Sequence, residues 1–244
     1  MSRFSLSVAL AGSILLSAAP AAAWAPETRI RMVDEAVRFM PGSLRRALES
    51  NREALLRGVL EPMKQEDSAE HRPPWAEGSL DRSLERATQD LLSALAEQTP
   101  FNEIAARFGA VAHYVLDAGF PPGMSDGDGA ARFTHFAEFC ESRRERFPLV
   151  FYGHDDPALE KHAYGGFGVS VMTRAMIEDR ELSRAYAAAG DPPDPSAFDD
   201  RSVPFAVGSL CYSRNVTDIV RIWLAVWNQA GGDMGRTPYS ERRP

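Results

Sequence analysis

Apolar residues recur at helical spacing along nearly the whole chain, and the clearest case is the segment 101–124. There the apolar positions are three and four residues apart and fill more than one helical face. Gly119 and the pair Pro121-Pro122 then end the predicted helix. Because such a helix is apolar on most sides, we expect it to lie in the middle of a bundle.

The same spacing predicts further helices, which are separated by loops rich in proline, glycine or aspartate. The predicted helices are 27–40, 44–60, 79–96, 133–147, 155–189 with a break at the glycines 165–168, and 208–230. No stretch alternates apolar and polar residues for the length of a β-strand. The sequence therefore predicts an all-α fold, a single-domain bundle of several helices.

Residues 1–23 have the layout of a secretory signal peptide. An apolar run at 6–16 follows Arg3, and small residues suited to cleavage come after it. The run is too short to cross a bilayer, which needs about 20 apolar residues, and no later run approaches that length. We therefore expect a periplasmic or secreted protein whose mature helical domain, 24–244, begins at Trp24.

The chain is acidic, and its charge disfavours some partners. The formal net charge is −7, and removing the signal segment with Arg3 as its one charge makes it −8. The absence of a lysine or arginine run argues against tight nonspecific binding to nucleic acid or anionic lipid. Cys140 and Cys211 could form a disulfide in an oxidising compartment or remain buried thiols, and the sequence leaves both possibilities open.

Candidate metal ligands lie in the central predicted helix and in one loop. His113 and Asp117 are four residues apart, so their side chains share a helical face and can bind one ion. A buried carboxylate needs a partner, because desolvating it alone costs several kcal/mol or forces protonation. A lone histidine on an apolar face is more often a hydrogen-bonded core residue. The loop that contains His71 is rich in carboxylates, at Glu61, Glu66, Asp67 and Glu70.

With these features the chain resembles the bacterial zinc-dependent phospholipase C family and its relatives, the fungal-type zinc-dependent single-strand nucleases. The likeness rests on Trp24, the first-helix segment 29–33, Gly58 before the acidic loop, the His113-x-x-x-Asp117 spacing with its following proline, and the tryptophans of the last helix. It implies an all-helical fold that cleaves phosphodiesters with three zinc ions. It also implies that the amino group and carbonyl of the terminal tryptophan bind zinc.

Carried over to this sequence, the resemblance implies a ligand set and a base. The implied zinc ligands are Trp24, Glu61, His71, His113, Asp117 and Glu138. Asp117 matches the aspartate that bridges two metals. Glu61 is also the expected base for the attacking water, with Glu66 or Asp67 as substitutes.

The sequence departs from the family at positions where the family has histidine. Arg29 stands in the first helix, Gly123 follows the proline, and Thr134 stands four residues before Glu138. His135 is one residue off, which turns its side chain about 100° around the helix. One metal site remains nearly complete, so we expect about one zinc ion rather than three.

The resemblance to the family and the departures from it lead to three possible functions. The first is an exported metal-dependent phosphodiesterase for a small phosphate ester or phospholipid head group, in which Glu61 and Arg29 have catalytic roles and the guanidinium binds phosphate. The second is a non-catalytic binding or structural relative, in which Arg29 pairs with Asp117 or Glu138. The third is a nuclease, disfavoured because few loop aromatics are available to stack on bases, namely Trp75, Phe120 and Tyr152.

Overall fold

The structure is a computed structural model that describes residues 23–64, 68–124, 130–190 and 197–235. The described residues form helices and 3₁₀ turns without a β-strand, which confirms the all-α fold class. None of the described helices is both long and apolar enough to span a membrane. The helices are α1 (Pro26–Arg38), α2 (Gly42–Ser50), α3 (Arg52–Leu60), α4 (Leu80–Ala96), α5 (Phe101–Ala118), α6 (Ala130–Arg143), α7 (Pro157–Glu160), α8 (Tyr164–Ala189) and α9 (Val203–Gln229).

Helix α5 lies at the centre of the bundle, as its apolar pattern predicts. It packs against α3, α4, α8 and α9, and every residue from 111 to 118 is buried. Trp223 of α9 donates its indole N–H to the carbonyl of Phe108 at 3.1 Å, and the two rings meet edge to face. The last two turns of α5 are therefore enclosed by other helices.

Glycines allow α3 and α5 to approach closely. A Cβ on Gly58 would lie 1.9 Å from the carbonyl oxygen of Ala106, and a Cβ on Gly109 would lie 2.1 Å from that of Leu55. Not even a methyl group fits between the two backbones at these points. The contact brings the last turns of α5 beside the end of α3, where the candidate site lies.

The start of α1 is anchored on two sides. Glu141 of α6 accepts hydrogen bonds from the backbone N–H of Thr28 at 3.1 Å and from its hydroxyl at 2.6 Å. A carboxylate at this place satisfies an otherwise unpaired N–H and interacts favourably with the helix dipole. Trp24, just ahead of α1, is fully buried against Phe120 and Phe136.

The predicted helix 44–60 is in fact two helices, α2 and α3, which meet at Asn51. The Asn51 side chain donates to the carbonyl of Ala47 at 2.8 Å, and its backbone leaves the helical region with φ −118° and ψ 28°. Asparagine interrupts helices in this way because its side chain competes for backbone hydrogen bonds.

The glycines at 165–168 form the first turn of α8 and do not break a helix, so that prediction was wrong. A Cβ on Gly168 would lie 3.1 Å from Cδ2 of Leu84, and one on Gly165 would lie 2.8 Å from the carboxylate of Glu85. These glycines therefore serve the close packing of α8 on α4, which local sequence does not reveal.

Both cysteines are buried free thiols in the structure. Burial raises the pKa of Cys140 well above its ordinary value and raises that of Cys211 as well. Because the thiolate is the reactive form, neither side chain is poised for nucleophilic chemistry.

Gly58→Ala is expected to destabilise the protein by about 1–3 kcal/mol, because the added methyl must displace the α5 backbone. Urea unfolding followed by circular dichroism measures the change. Gly42→Ala is the matched control, since a Cβ there lies 3.7 Å from Arg46, an ordinary contact. We expect that control to be neutral or to stabilise by up to about 1 kcal/mol. Equal stability of the two variants would contradict the close contact of α3 with α5.

Candidate metal centre

Three side chains with ligand atoms converge where α5 meets the 3₁₀ turn Ser68–His71. Nδ1 of His71 lies 2.6 Å from Oδ2 of Asp117, and Nε2 of His113 lies 3.0 Å from the same oxygen. The two nitrogens are 3.3 Å apart. Within the described residues, this is the one group of at least three histidine, cysteine or acidic side chains whose ligand atoms all lie within 4.8 Å of one another.

The residues fit a zinc ion in size and in chemistry. Zinc bonds of about 2.0–2.2 Å to nitrogen and oxygen set the ligand atoms of a tetrahedral site roughly 3.3 Å apart. The observed separations of 2.6–3.3 Å are slightly shorter, so the side chains need to spread only a little to hold the ion. Two imidazoles and one carboxylate leave a fourth position for water, as in catalytic rather than structural zinc sites.

His113 is oriented from behind by the end of α3. Its Nδ1 lies 2.9 Å from the carbonyl oxygen of Val59, and its side chain is only 1% exposed. This contact at Nδ1 fixes the ring so that Nε2 faces Asp117 and His71. Metal-binding histidines are commonly fixed by such a hydrogen bond on their other nitrogen.

Arg29 contacts the other oxygen of the same carboxylate. Its Nη2 donates to Oδ1 of Asp117, its Nε donates to the carbonyl of Trp24 at 2.8 Å, and its Nη1 lies 3.2 Å from Nδ1 of His113. The side chains of Arg29 and Asp117 are 1% and 4% exposed, so the ion pair is fully inside the bundle. Asp117 thus gives one oxygen to a guanidinium and the other to two imidazoles.

These neighbours determine the charge state of the site. Burial alone would raise the pKa of Asp117, but the charges of His113 and Arg29 and the hydrogen bonds from both histidines hold that pKa well below its ordinary value. The hydrogen bond to Asp117 raises the pKa of His71 despite partial desolvation. The carboxylate is therefore an anion, ready to bind a cation.

The structure does not bring the other expected ligands to this cluster. Glu61 and Glu138 are exposed and do not belong to the group of converging ligand atoms. Glu61 opens a 3₁₀ turn directly after α3, and its side chain faces solvent there. Glu66 and Asp67 lie outside the described residues. The expected ligands that converge are therefore His71, His113 and Asp117.

Trp24 reaches the cluster only through its backbone. Its carbonyl, an expected zinc ligand, accepts a hydrogen bond from Arg29.

His135 of α6 is one residue from the position where the family has a histidine, and it makes other contacts. It lies 2.7 Å from the hydroxyl of Tyr186 and packs beside Phe198. Phe120, expected among the exposed loop aromatics, is fully buried, which weakens the nuclease alternative further.

Sequence reasoning missed the residues that surround His71. The ring of Tyr114 lies 6.0 Å from the His71 ring and 5.1 Å from the His113 ring. Its hydroxyl donates to Oε2 of Glu70 at 3.3 Å, and Nη2 of Arg86 donates to Oε1 at 2.6 Å. Tyr114 and Glu70 are each next to a ligand in sequence, but adjacency does not show that their side chains meet.

Two solved structures have a similar fold. The alpha-toxin from Clostridium absonum matches with a TM-score of 0.62 and 14% identity, over 83% of this chain and 63% of that chain. The Clostridium perfringens alpha-toxin from avian strain SWCP matches with a TM-score of 0.61 and 11% identity, over 89% of this chain and 66% of that chain. Neither a family model nor a curated protein matches the sequence.

At these identities the comparison concerns the fold alone. It shows that this chain has the fold of the two alpha-toxins, in agreement with the all-helical fold that the sequence resemblance implies. The chain spans 63% and 66% of the lengths of the two toxins.

Asp117→Asn is expected to destabilise the metal-free protein by about 3–5 kcal/mol at neutral pH, because it leaves Arg29 buried without a counter-charge. The folded pKa of Asp117 lies below its ordinary value. Its stabilising contribution is therefore present above a pH of about 4 and is lost as pH falls through the folded pKa. Urea unfolding of both proteins from pH 7 down to pH 2 measures the difference.

The matched control for this measurement is Asp34→Asn. Asp34 pairs with Arg52 on the surface, with 36% and 51% of the two side chains exposed, so we expect a loss of at most about 1 kcal/mol. The buried ion pair would be contradicted if Asp117→Asn lost as little unfolding free energy as the control. It would also be contradicted if the loss stayed unchanged down to pH 2.

Proposed function

We propose that this protein is an exported hydrolase of phosphate esters that uses a single zinc ion bound by His71, His113 and Asp117. The observation that carries the proposal is the triangle of ligand atoms 2.6–3.3 Å apart, with two imidazoles and one carboxylate. When bound, zinc would lower the pKa of a coordinated water towards roughly 7 and offset charge on a phosphate oxygen. Export is proposed from the signal-peptide pattern of residues 1–23.

The substrate is proposed to be a small phosphodiester or a phospholipid head group. The resemblance of the sequence to the zinc-dependent phospholipase C family supports that class, and the chain has the fold of the two alpha-toxins. Substrate would approach from the side of His71, since that side chain is 20% exposed whereas His113 and Asp117 are 1% and 4% exposed. The inner side of the cluster is closed by α1 and α3.

Arg29 has a different role in this proposal from the phosphate contact expected at first. The guanidinium donates through Nη2 to Asp117 and through Nε to the carbonyl of Trp24, and the side chain is 1% exposed. We infer that Arg29 holds Asp117 as an anion with its Oδ2 turned to the two imidazoles. A fixed guanidinium would then replace one of the cations that a multi-metal cluster needs.

A second candidate function is a non-catalytic binding or structural protein of the periplasm. The ion pair of Arg29 with Asp117 favours it, because the guanidinium compensates the buried carboxylate when no metal is present. In that case the cluster of His71, His113 and Asp117 would be a hydrogen-bonded part of the core.

Zinc analysis and hydrolysis test the proposal together. We expect about one zinc per chain by elemental analysis, and cleavage of a chromogenic phosphodiester that a chelator abolishes and zinc restores. His113→Ala should remove both the bound zinc and the cleavage activity. The activity should fall by more than the roughly 10–100-fold that is typical of losing an outer-shell partner. His135→Ala, which alters a histidine bonded to Tyr186 outside the cluster, should retain both. A wild type without zinc and without turnover under any metal condition would overturn the enzyme proposal.

Arg29→His separates the two candidate functions. Under either function it removes the counter-ion of Asp117 and should destabilise the protein by roughly 3–5 kcal/mol unless zinc fills the gap. In an enzyme it should lower phosphodiester cleavage, or raise it only when zinc is added. Thermal unfolding and hydrolysis are measured with and without zinc. Arg38→His is the control on the same helix, because the Arg38 side chain is 69% exposed where it pairs with Glu35. An unchanged melting temperature for Arg29→His would show that the ion pair does not support the fold.

A further inference from the structure

We propose that Glu70 is a positioning residue for His71. Its carboxylate, held between α4 and α5, fixes the 3₁₀ turn Ser68–His71 so that Nδ1 of His71 lies against Asp117. Where it concerns zinc affinity, this inference rests on the proposed function. Where it concerns the placement of His71, it stands on the geometry alone.

His71 is the ligand whose place depends on a short turn. His113 and Asp117 share one rigid helix, whereas His71 ends a four-residue 3₁₀ turn and is the most exposed of the three. Short 3₁₀ turns have weak internal hydrogen bonding, so the turn needs external support to hold a side chain in place.

The two oxygens of Glu70 bind to two different helices. Oε1 accepts from Arg86 of α4 at 2.6 Å, and Oε2 accepts from the hydroxyl of Tyr114 of α5 at 3.3 Å. The bond from Arg86 is short and charge-assisted and is the stronger of the two. Burial raises the pKa of Tyr114, which keeps its hydroxyl protonated as a donor.

Backbone hydrogen bonds tie this loop to the start of α4. The N–H of Ser79 donates to the carbonyl of Ala69 at 2.8 Å, and the N–H of Leu80 donates to that of Arg72 at 3.0 Å. Glu70 adds a tie to α5 beside His113, and the ring of Tyr114 forms a wall against His71. The side chain that precedes the ligand therefore sets the turn against the helix that carries the other two ligands.

The ion pair of Glu70 with Arg86 is too exposed to matter much for stability. Arg86 is 59% exposed and Glu70 is 21% exposed, and pairs of this kind contribute little to the free energy of unfolding. A positioning role and a purely structural role therefore predict different results. Loss of Glu70 should move His71 while the melting temperature stays nearly the same.

The first test uses metal-free full-length protein and diethyl pyrocarbonate, with the modification rate of His71 followed by peptide mass spectrometry. Glu70→Ala should raise this rate by about tenfold, the scale of an outer-shell effect, because His71 loses its fixed place at Asp117. Glu70→Gln keeps one oxygen that can accept from Arg86 and gains an NH2 group that can donate to the Tyr114 hydroxyl, so its rate should stay within about twofold of wild type. Glu103→Ala, which removes a comparable surface pair with Arg107, should have no effect.

The outcomes of this test are distinct. A wild-type His71 modification rate in Glu70→Ala would overturn the proposal. Equal rates in Glu70→Gln and Glu70→Ala would also overturn it, because the charge of Glu70 and not its position would then matter. If Glu70→Ala does not fold, Arg86→Ala takes its place, because it changes only the exposed partner of Glu70. We expect Arg86→Ala to raise the His71 modification rate as well. An unchanged rate in Arg86→Ala would overturn the proposal.

The second test measures zinc affinity by competition with a chromophoric chelator. Glu70→Ala should weaken zinc binding by about tenfold, and Glu70→Gln should stay within about twofold of wild type. If the wild type binds no zinc, the proposed function fails, while the His71 modification rates still decide whether Glu70 positions the turn. Zinc affinity in Glu70→Ala equal to wild type would overturn the role of Glu70 in metal binding.

Discussion

The carboxylate of Asp117 is buried at the centre of the bundle, and the surrounding structure depends on how it is compensated. An unpaired anion there would cost several kcal/mol or would take up a proton. Its two oxygens divide the task, since Oδ1 accepts from Arg29 of α1 and Oδ2 lies near the imidazoles of His71 and His113. Helices α1 and α5 and the turn before α4 therefore meet at one charged group.

The division of the two Asp117 oxygens between Arg29 and the imidazoles also limits what the site can bind. Because Arg29 occupies only Oδ1, Oδ2 and the two imidazole nitrogens remain available to one ion. A guanidinium is a cation that cannot be lost by dilution or chelation, so the fold does not rely on metal for this charge. It also occupies the carbonyl of Trp24, which would otherwise be free to bind a further ion. These contacts support the proposal of a single metal ion instead of a cluster.

Helical periodicity was sufficient to predict the central position of α5 and the meeting of His113 with Asp117, because both follow from local geometry. Pairing of Arg29 with Asp117 or Glu138 was expected for a non-catalytic relative, and the pair with Asp117 is present. The exposure of Glu61 was not predictable, because the direction of a side chain after a helix end depends on the turn that follows. The contacts of Glu70 with Tyr114 and the packing glycines of α8 arise between elements distant in sequence, where local pattern carries no signal.

The most direct test is a crystal structure of the protein grown with zinc, with anomalous scattering recorded at the zinc edge. We expect one zinc peak, about 2.0–2.2 Å from Nδ1 of His71, Nε2 of His113 and Oδ2 of Asp117. Arg29 should still donate to Oδ1. The absence of a peak at this place, or an ion that displaces Arg29 and binds both oxygens of Asp117, would contradict the shared carboxylate on which the proposed function rests.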